Sequence, residues 1–80
     1  MGSGNWTEWS DDVLSVLRLM GMTRGSVFNL QQAYSGEALL KRIHPNNSHI
    51  KAKIRQQLQI LQENDYVRFI DNKGNYEMLK

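Results

Sequence analysis

Cysteine is absent from this 80-residue chain. That excludes disulfide staples, Cys-ligated zinc and thiol catalysis. Proline occurs once, as Pro45, so there is a single strong backbone break of that kind. No apolar run approaches the roughly 18 residues that a membrane-spanning helix needs. The opening Met1-Gly2-Ser3-Gly4 lacks the basic and apolar pattern of a signal peptide. Residues 1–5 read as a flexible leader or cloning scar and are set aside. Residues 6–80 then make one domain, with room for a single core and none for a deep cleft between lobes. There is no Gly-rich phosphate loop and no Ser/His/Asp set on an evident scaffold. His44 and His49 lack a third ligand at metal-binding spacing. No catalytic role, cofactor, metal or small-molecule substrate is expected.

A further absence is local. No acid lies between Glu37 and Glu63. The net charge is only +2, yet Lys41, Arg42, Lys51, Lys53 and Arg55 fall within residues 41–55, while the other five Lys/Arg share the rest of the chain with all eight acids. Such segregation is the electrostatic footprint of a polyanion partner.

Residues 6–20 read as a first helix with Ser10 as its cap and Gly21 as its stop. On that register Trp9 and Leu14 have the spacing of a hydrophobic staple. A connector follows, ending in an extended piece at Val27-Phe28. Leu30 to Tyr34 and Glu37 to Ile43 are helical, as one kinked helix or two short ones, with Leu39, Leu40 and Ile43 as the apolar side of the second. His44-Pro45-Asn46-Asn47 is a turn. The clearest helix starts from a cap at Asn47 or Ser48 and runs to about Glu63. Residues 66–70 and 76–79 are β-like and flank a polar turn, Asp71 to Asn75. Three helices followed by a two-stranded hairpin wing is an α+β winged helix-turn-helix.

At about 100° per residue, Ile50, Ile54, Leu58 and Leu61 form one core stripe on the long helix. Gln57 falls inside that stripe and is expected to bond a backbone group where the hairpin meets the helix. Ser48, His49, Ala52, Gln56 and Gln59 face the other way, with Arg55 at their edge. Lys51 and Lys53 lie on the two flanks. A helix in a DNA major groove has base edges in front and phosphates on both sides, which this distribution fits. The candidates for base contact are Ser48, His49, Ala52 and Gln56. The candidates for phosphate contact are Asn47, Lys51, Lys53, Arg55 and, at the tip of the wing, Lys73.

The run from His44 to Ile70, densest in HIKAKIRQQLQ (His49 to Gln59), followed by KGNYEML, resembles the C-terminal winged-helix domain of the Dam-replacing-protein family of restriction endonucleases. Trp9 with Asp12-Val13-Leu14, and Phe28-Asn29-Leu30 with Tyr34, extend the resemblance over nearly all of residues 6–79. These enzymes cut GATC sites that carry N6-methyladenine, and their winged helix reads the methylated DNA. The resemblance therefore implies a stand-alone or excised methyl-DNA reader rather than an enzyme. A monomer is expected because no extra apolar stripe is left over for a dimer, and the lack of cysteine fits a cytoplasmic, intracellular protein. By matched position, its recognition helix would begin at Ser48, and its wing would be Asp71 to Asn75.

Reading the mark sets a chemical requirement. The N6 methyl of a paired adenine replaces the groove-facing hydrogen that Asn or Gln normally reads. The reader must offer van der Waals contact instead. Ala52 and the ring of His49 meet that need within the helix. Trp6 is a third candidate, as an aromatic wall outside the best-periodic part of the first helix, whereas Trp9 is assigned to the staple. Three readings stay open on residues alone: a methyladenine reader, a general winged-helix DNA-binding domain, and a winged-helix protein-interaction module.

Overall fold

The computed structural model describes residues 5–71 and 73–80. Most of the expected leader, residues 1–4, and Asn72 of the expected wing lie outside the described residues. The chain runs α1 (Glu8–Leu19), β1 (Val27–Asn29), α2 (Leu30–Tyr34), α3 (Glu37–Ile43), α4 (Ile50–Glu63), β2 (Val67–Phe69) and β3 (Asn75–Met78). The strands form one antiparallel sheet in the order β1-β3-β2. The winged-helix order is present, and the extended piece at Val27-Phe28 adds a third strand to the hairpin. The stretch left open as one helix or two is two. Gly36 makes the corner between them, tight against α1: a methyl group there would sit 2.6 Å from Val16 Cγ1.

The start of α1 differs from expectation. Its N-cap is Thr7, one turn before Ser10. Ser10 is the third helical residue, and its Oγ accepts the Thr7 N–H at 3.1 Å, the return half of a capping box. Trp9 therefore lies inside the helix and forms no staple with Leu14. Trp6 takes the position before the cap, where its Nε1–H donates to Asp11 Oδ1 at 2.9 Å. A serine followed by two acids reads as a cap in sequence, but so does a threonine followed three residues later by a serine. The end of α1 is as expected. Gly21 is left-handed at φ 97°. The Met22 N–H donates to the Leu17 carbonyl and the Gly21 N–H to that of Arg18, a Schellman closure.

The cap of α4 also shifts. His49 occupies it without a side-chain bond. Asn47 acts one step earlier, its Oδ1 accepting the His49 N–H at 2.7 Å. At the far end Asp65 takes the left-handed position, φ 63°. The Tyr66 N–H then reaches the Leu61 carbonyl and the Asp65 N–H that of Gln62.

The core gathers Val13, Leu14, Val16 and Leu17 of α1, Leu40 of α3, the α4 stripe Ile50, Ile54, Leu58 and Leu61, and Phe28, Val67, Tyr76 and Met78 of the sheet. Ile43, expected on the apolar side of α3, is half exposed because it sits where that helix ends. Gln57 is buried as expected, but its partner is a side chain on α1 rather than a backbone group at the hairpin. Ser10 Oγ donates to Gln57 Oε1 at 2.6 Å. Both residues are at most 2% exposed. Among the described residues no buried side-chain nitrogen or oxygen lacks a partner.

The wing is held by its own acid. Asp71 Oδ1 accepts the Lys73 N–H at 2.8 Å and Oδ2 accepts Asn75 Nδ2–H at 3.0 Å. The Asn75 amide, and after it the Lys73 N–H, hold the Asp71 carboxyl below its ordinary value of 3.8.

Two expected outcomes follow from these contacts. Gln57→Ala leaves the Ser10 hydroxyl buried without its acceptor and is expected to lower the unfolding free energy by about 1–3 kcal/mol. Joining Gln57→Leu to Ser10→Ala is expected to cost less than the two changes apart, since both polar partners leave together. Urea unfolding measures this; strictly additive losses would show that the pair is not coupled. A depressed folded-state pKa means that the Asp71 carboxylate steadies the wing above the ordinary carboxyl value and loses that role as pH falls through the folded value. An NMR titration is expected to place the Asp71 midpoint below 3.8 and to see Asn75→Ala bring it back up. A midpoint that Asn75→Ala leaves in place would reject Asn75 as the cause.

Candidate nucleic-acid interface

With Ile50, Ile54, Leu58 and Leu61 turned into the core, α4 presents Ser48 and His49 just before its first turn, then Ala52, Gln56 and Gln59, all exposed. The side chains are short or carry amides, so a groove floor can approach this face closely. The flanks are two different walls, as the helical wheel indicates. Lys51 leans towards α2, its Nζ 5.7 Å from the centre of the Tyr34 ring. Lys53 leans towards α1, its Nζ 5.6 Å from the Trp9 ring. A cation over an aromatic face gains about 0.5–1 kcal/mol at an exposed site. That is enough to bias where each ammonium points without neutralising it.

Trp9 is placed by packing. Its ring stacks on that of His44, with centroids 3.9 Å apart and planes 14° from parallel. His44 is held in turn by Asp12, Nε2 to Oδ2 at 2.6 Å. These rings line a shallow groove of about 400 Å³ with Ile43, Pro45, Asn46 and Asn47. Asn47 is half-buried, its side chain turned to the His49 N–H and its carbonyl accepting Lys41 Nζ–H at 3.0 Å.

On the other side, Arg55 and Lys73 line one groove of about 500 Å³ between α4, the start of α2 and the wing. Burial pushes the Tyr76 phenol up from its ordinary value, and the nearby Arg55 charge opposes that rise. Lys51, Arg55 and Lys73 form no ion pair with an acid among the described residues. Arg68 differs. It lies opposite Glu77 in the β2–β3 register, and its Nε donates to Glu77 Oε1 at 3.1 Å, so its charge is met within the sheet.

The structure thus brings together Asn47, Ser48, His49, Lys51, Ala52, Lys53, Arg55 and Gln56 on or beside one helix face, with Lys73 across a groove from Arg55. Trp6 is not among them. It packs on Tyr66, centroids 4.9 Å apart, beyond the C-terminal end of α4. Tyr66 follows the C-terminal end of α4, whereas Ser48 and His49 precede its first turn. The aromatic wall expected beside the groove thus packs at the other end of the helix. Sequence reasoning missed Tyr34, Phe69 and the actual position of Trp9. Nothing in a single chain's spacing says which aromatic ring of another helix will lie under a given lysine.

Among the described residues no three His, Asp or Glu side chains gather as metal ligands, and no helix is long and apolar enough to cross a membrane. The family described as the Dam-replacing HTH domain has a model that matches residues 7–78, from the N-cap of α1 to the last residue of β3. The match is to a helix-turn-helix module, a DNA-binding class of domain, and not to a catalytic one. It covers nearly the whole fold, so the chain belongs to the Dam-replacing HTH domain family.

Proposed function

We propose that this domain binds double-stranded DNA with α4 in the major groove and that it prefers GATC-like sites carrying N6-methyladenine. The observation that carries the DNA reading is the outer face of α4, free of acid from Ile50 to Gln62, with one lysine leaning to each side and Arg55 and Lys73 without an acid partner among the described residues. Membership in a helix-turn-helix family supports the same partner. In this reading Lys51, Lys53, Arg55, Lys73 and Asn47 position the domain on phosphates, while Ser48, His49, Ala52 and Gln56 face the bases. The methyl preference rests on the family and on chemistry. Ala52 and His49 are exposed at the N-terminal half of α4, where a methyl that projects into the groove meets carbon rather than an unpaired polar group. Gln56 retains a donor for adenine N7. Trp6 has no part in this reading.

Contact with about four phosphates gives an expected slope of log K against log salt of roughly −3.6. Binding measured over a salt series checks this, and a slope near zero would sink the DNA reading. Lys51→Ala and Lys53→Ala are expected to weaken every duplex by a similar factor. Ala52→Glu is expected to abolish binding while leaving the thermal melt unchanged. Intact binding by that variant would remove α4 from the groove. A mobility shift on one duplex with its GATC unmethylated, hemimethylated and fully methylated tests the preference. Equal affinity for all three would leave a general DNA-binding domain.

A further inference from the structure

Phe69 is in an anomalous place for its residue type. It lies opposite Tyr76 in the β2–β3 register, and Val67, two residues earlier on the same face of the strand, is 1% exposed. Strand alternation should bury Phe69 as well, yet it is 37% exposed. The reason is what stands opposite. At this end of the sheet the groove wall on α4 is Arg55 rather than an apolar side chain. Phe69 meets Tyr76 edge to face, centroids 5.3 Å apart and planes at 90°, and otherwise borders the open groove.

The walls of that groove are fixed. Gly74, left-handed at φ 81°, turns the tip of the wing so that its carbonyl accepts the Leu30 N–H at 2.9 Å. This ties the tip to the start of α2. Arg55 then faces the groove from α4 and Lys73 from the wing, with the amides of Gln31 and Asn75 beside them. Neither cation has an acid partner among the described residues. An apolar ring that shares one groove with two cations lacking acid partners suits a nucleic-acid strand, in which a sugar with an apolar C–H face lies between two phosphates. A bare anion would use the cations and leave the ring idle. An apolar partner would use the ring and strand the cations.

We propose that the groove between α4 and the wing seats the sugar–phosphate backbone of one DNA strand, with Phe69 against a deoxyribose and Arg55 and Lys73 on the phosphates to either side. This rests on the DNA-binding reading above and adds Phe69 to it as a contact that carries no charge. A backbone contact reads neither sequence nor methylation, so its loss must be felt equally by every duplex.

The test is duplex binding by fluorescence anisotropy over a salt series for the whole chain and for Phe69→Ala and Lys73→Ala, each checked by thermal melt. Phe69→Ala is expected to weaken methylated and unmethylated duplexes alike by about tenfold, taking the loss of an aromatic contact as a guide. Its salt slope should stay unchanged because no charge is removed, whereas Lys73→Ala should make the slope shallower by about 0.9. Phe69→Ala also removes packing on Tyr76, so a benzophenone photo-crosslinking residue at position 69 supplies a second readout. Irradiation is expected to yield an adduct with the DNA strand. If the unaltered chain binds no duplex, the DNA reading itself fails. If it binds with the expected slope while Phe69→Ala binds equally well, or position 69 yields no adduct, the groove proposal is overturned and the DNA reading stands.

Discussion

The packing of α4 against α1 governs the rest of the molecule. One helix has to supply both the centre of the core and the outward face, and a small rotation about its axis would carry residues from one duty to the other. Apolar contact alone tolerates such rotation, because Ile and Leu pack against many neighbours. The buried bond from Ser10 to Gln57 does not. Away from its partner, either group would be buried and unsatisfied, at a cost of about 1–3 kcal/mol. A polar pair inside an apolar seam thus sets the rotation of α4, and with it which residues face outward. Ser10 serves the start of α1 as well, since the same oxygen accepts the Thr7 N–H. The beginning of one helix and the orientation of another are coupled through a single hydroxyl.

The charges then sort by whether the fold has already satisfied them. Arg68 lies opposite Glu77 across two strands, and His44 meets Asp12 across two helices. Both are used within the domain. Lys51 and Lys53 rest over aromatic rings, which steer an ammonium but leave its charge unspent. Arg55 and Lys73 face a groove. Among the described residues, none of the four cations on α4 and at the wing tip, Lys51, Lys53, Arg55 and Lys73, is paired with an acid. A surface selected only for solubility would intersperse both signs. An exposed face that keeps its cations and meets an acid only at its last residue, Glu63, carries a standing repulsion, which an anionic partner relieves.

Much of this was legible in the chain, for reasons that differ by element. The α4 stripe could be read because a long helix repeats its period several times. The stop at Gly21 could be read because few residues take a left-handed φ at no cost. The wing could be read because a polar turn separated two β-like runs. The caps were harder. Ser10 was expected as the cap of α1 and Asn47 or Ser48 as that of α4, whereas Thr7 and His49 take those positions; tertiary packing of Ser10 on Gln57 decides the first. The site was legible along α4 and illegible across elements. Trp6 and Trp9 are three residues apart, yet one packs on Tyr66 after the end of α4 and the other stacks on His44 before its start. Phe69 fits the alternation of a buried strand residue, and only the placement of Arg55 opposite leaves it open.

Magnitudes also bound what the methyl preference can be. Burying one methyl against carbon contributes about 0.8 kcal/mol, close to a fourfold change in affinity. A GATC duplex carries one such adenine on each strand, so contact alone with both marks reaches roughly sixteenfold. A larger ratio needs a penalty on the unmethylated site. The outer face of α4 has one way to impose it: polar groups of the unmethylated base left unpaired against Ala52 or the His49 ring, at about 1–3 kcal/mol each. That penalty depends on Ala52 and His49 alone, since a backbone contact at the wing would add the same affinity to every duplex. A strong preference for the methylated site would therefore have to be a property of the outer face of α4.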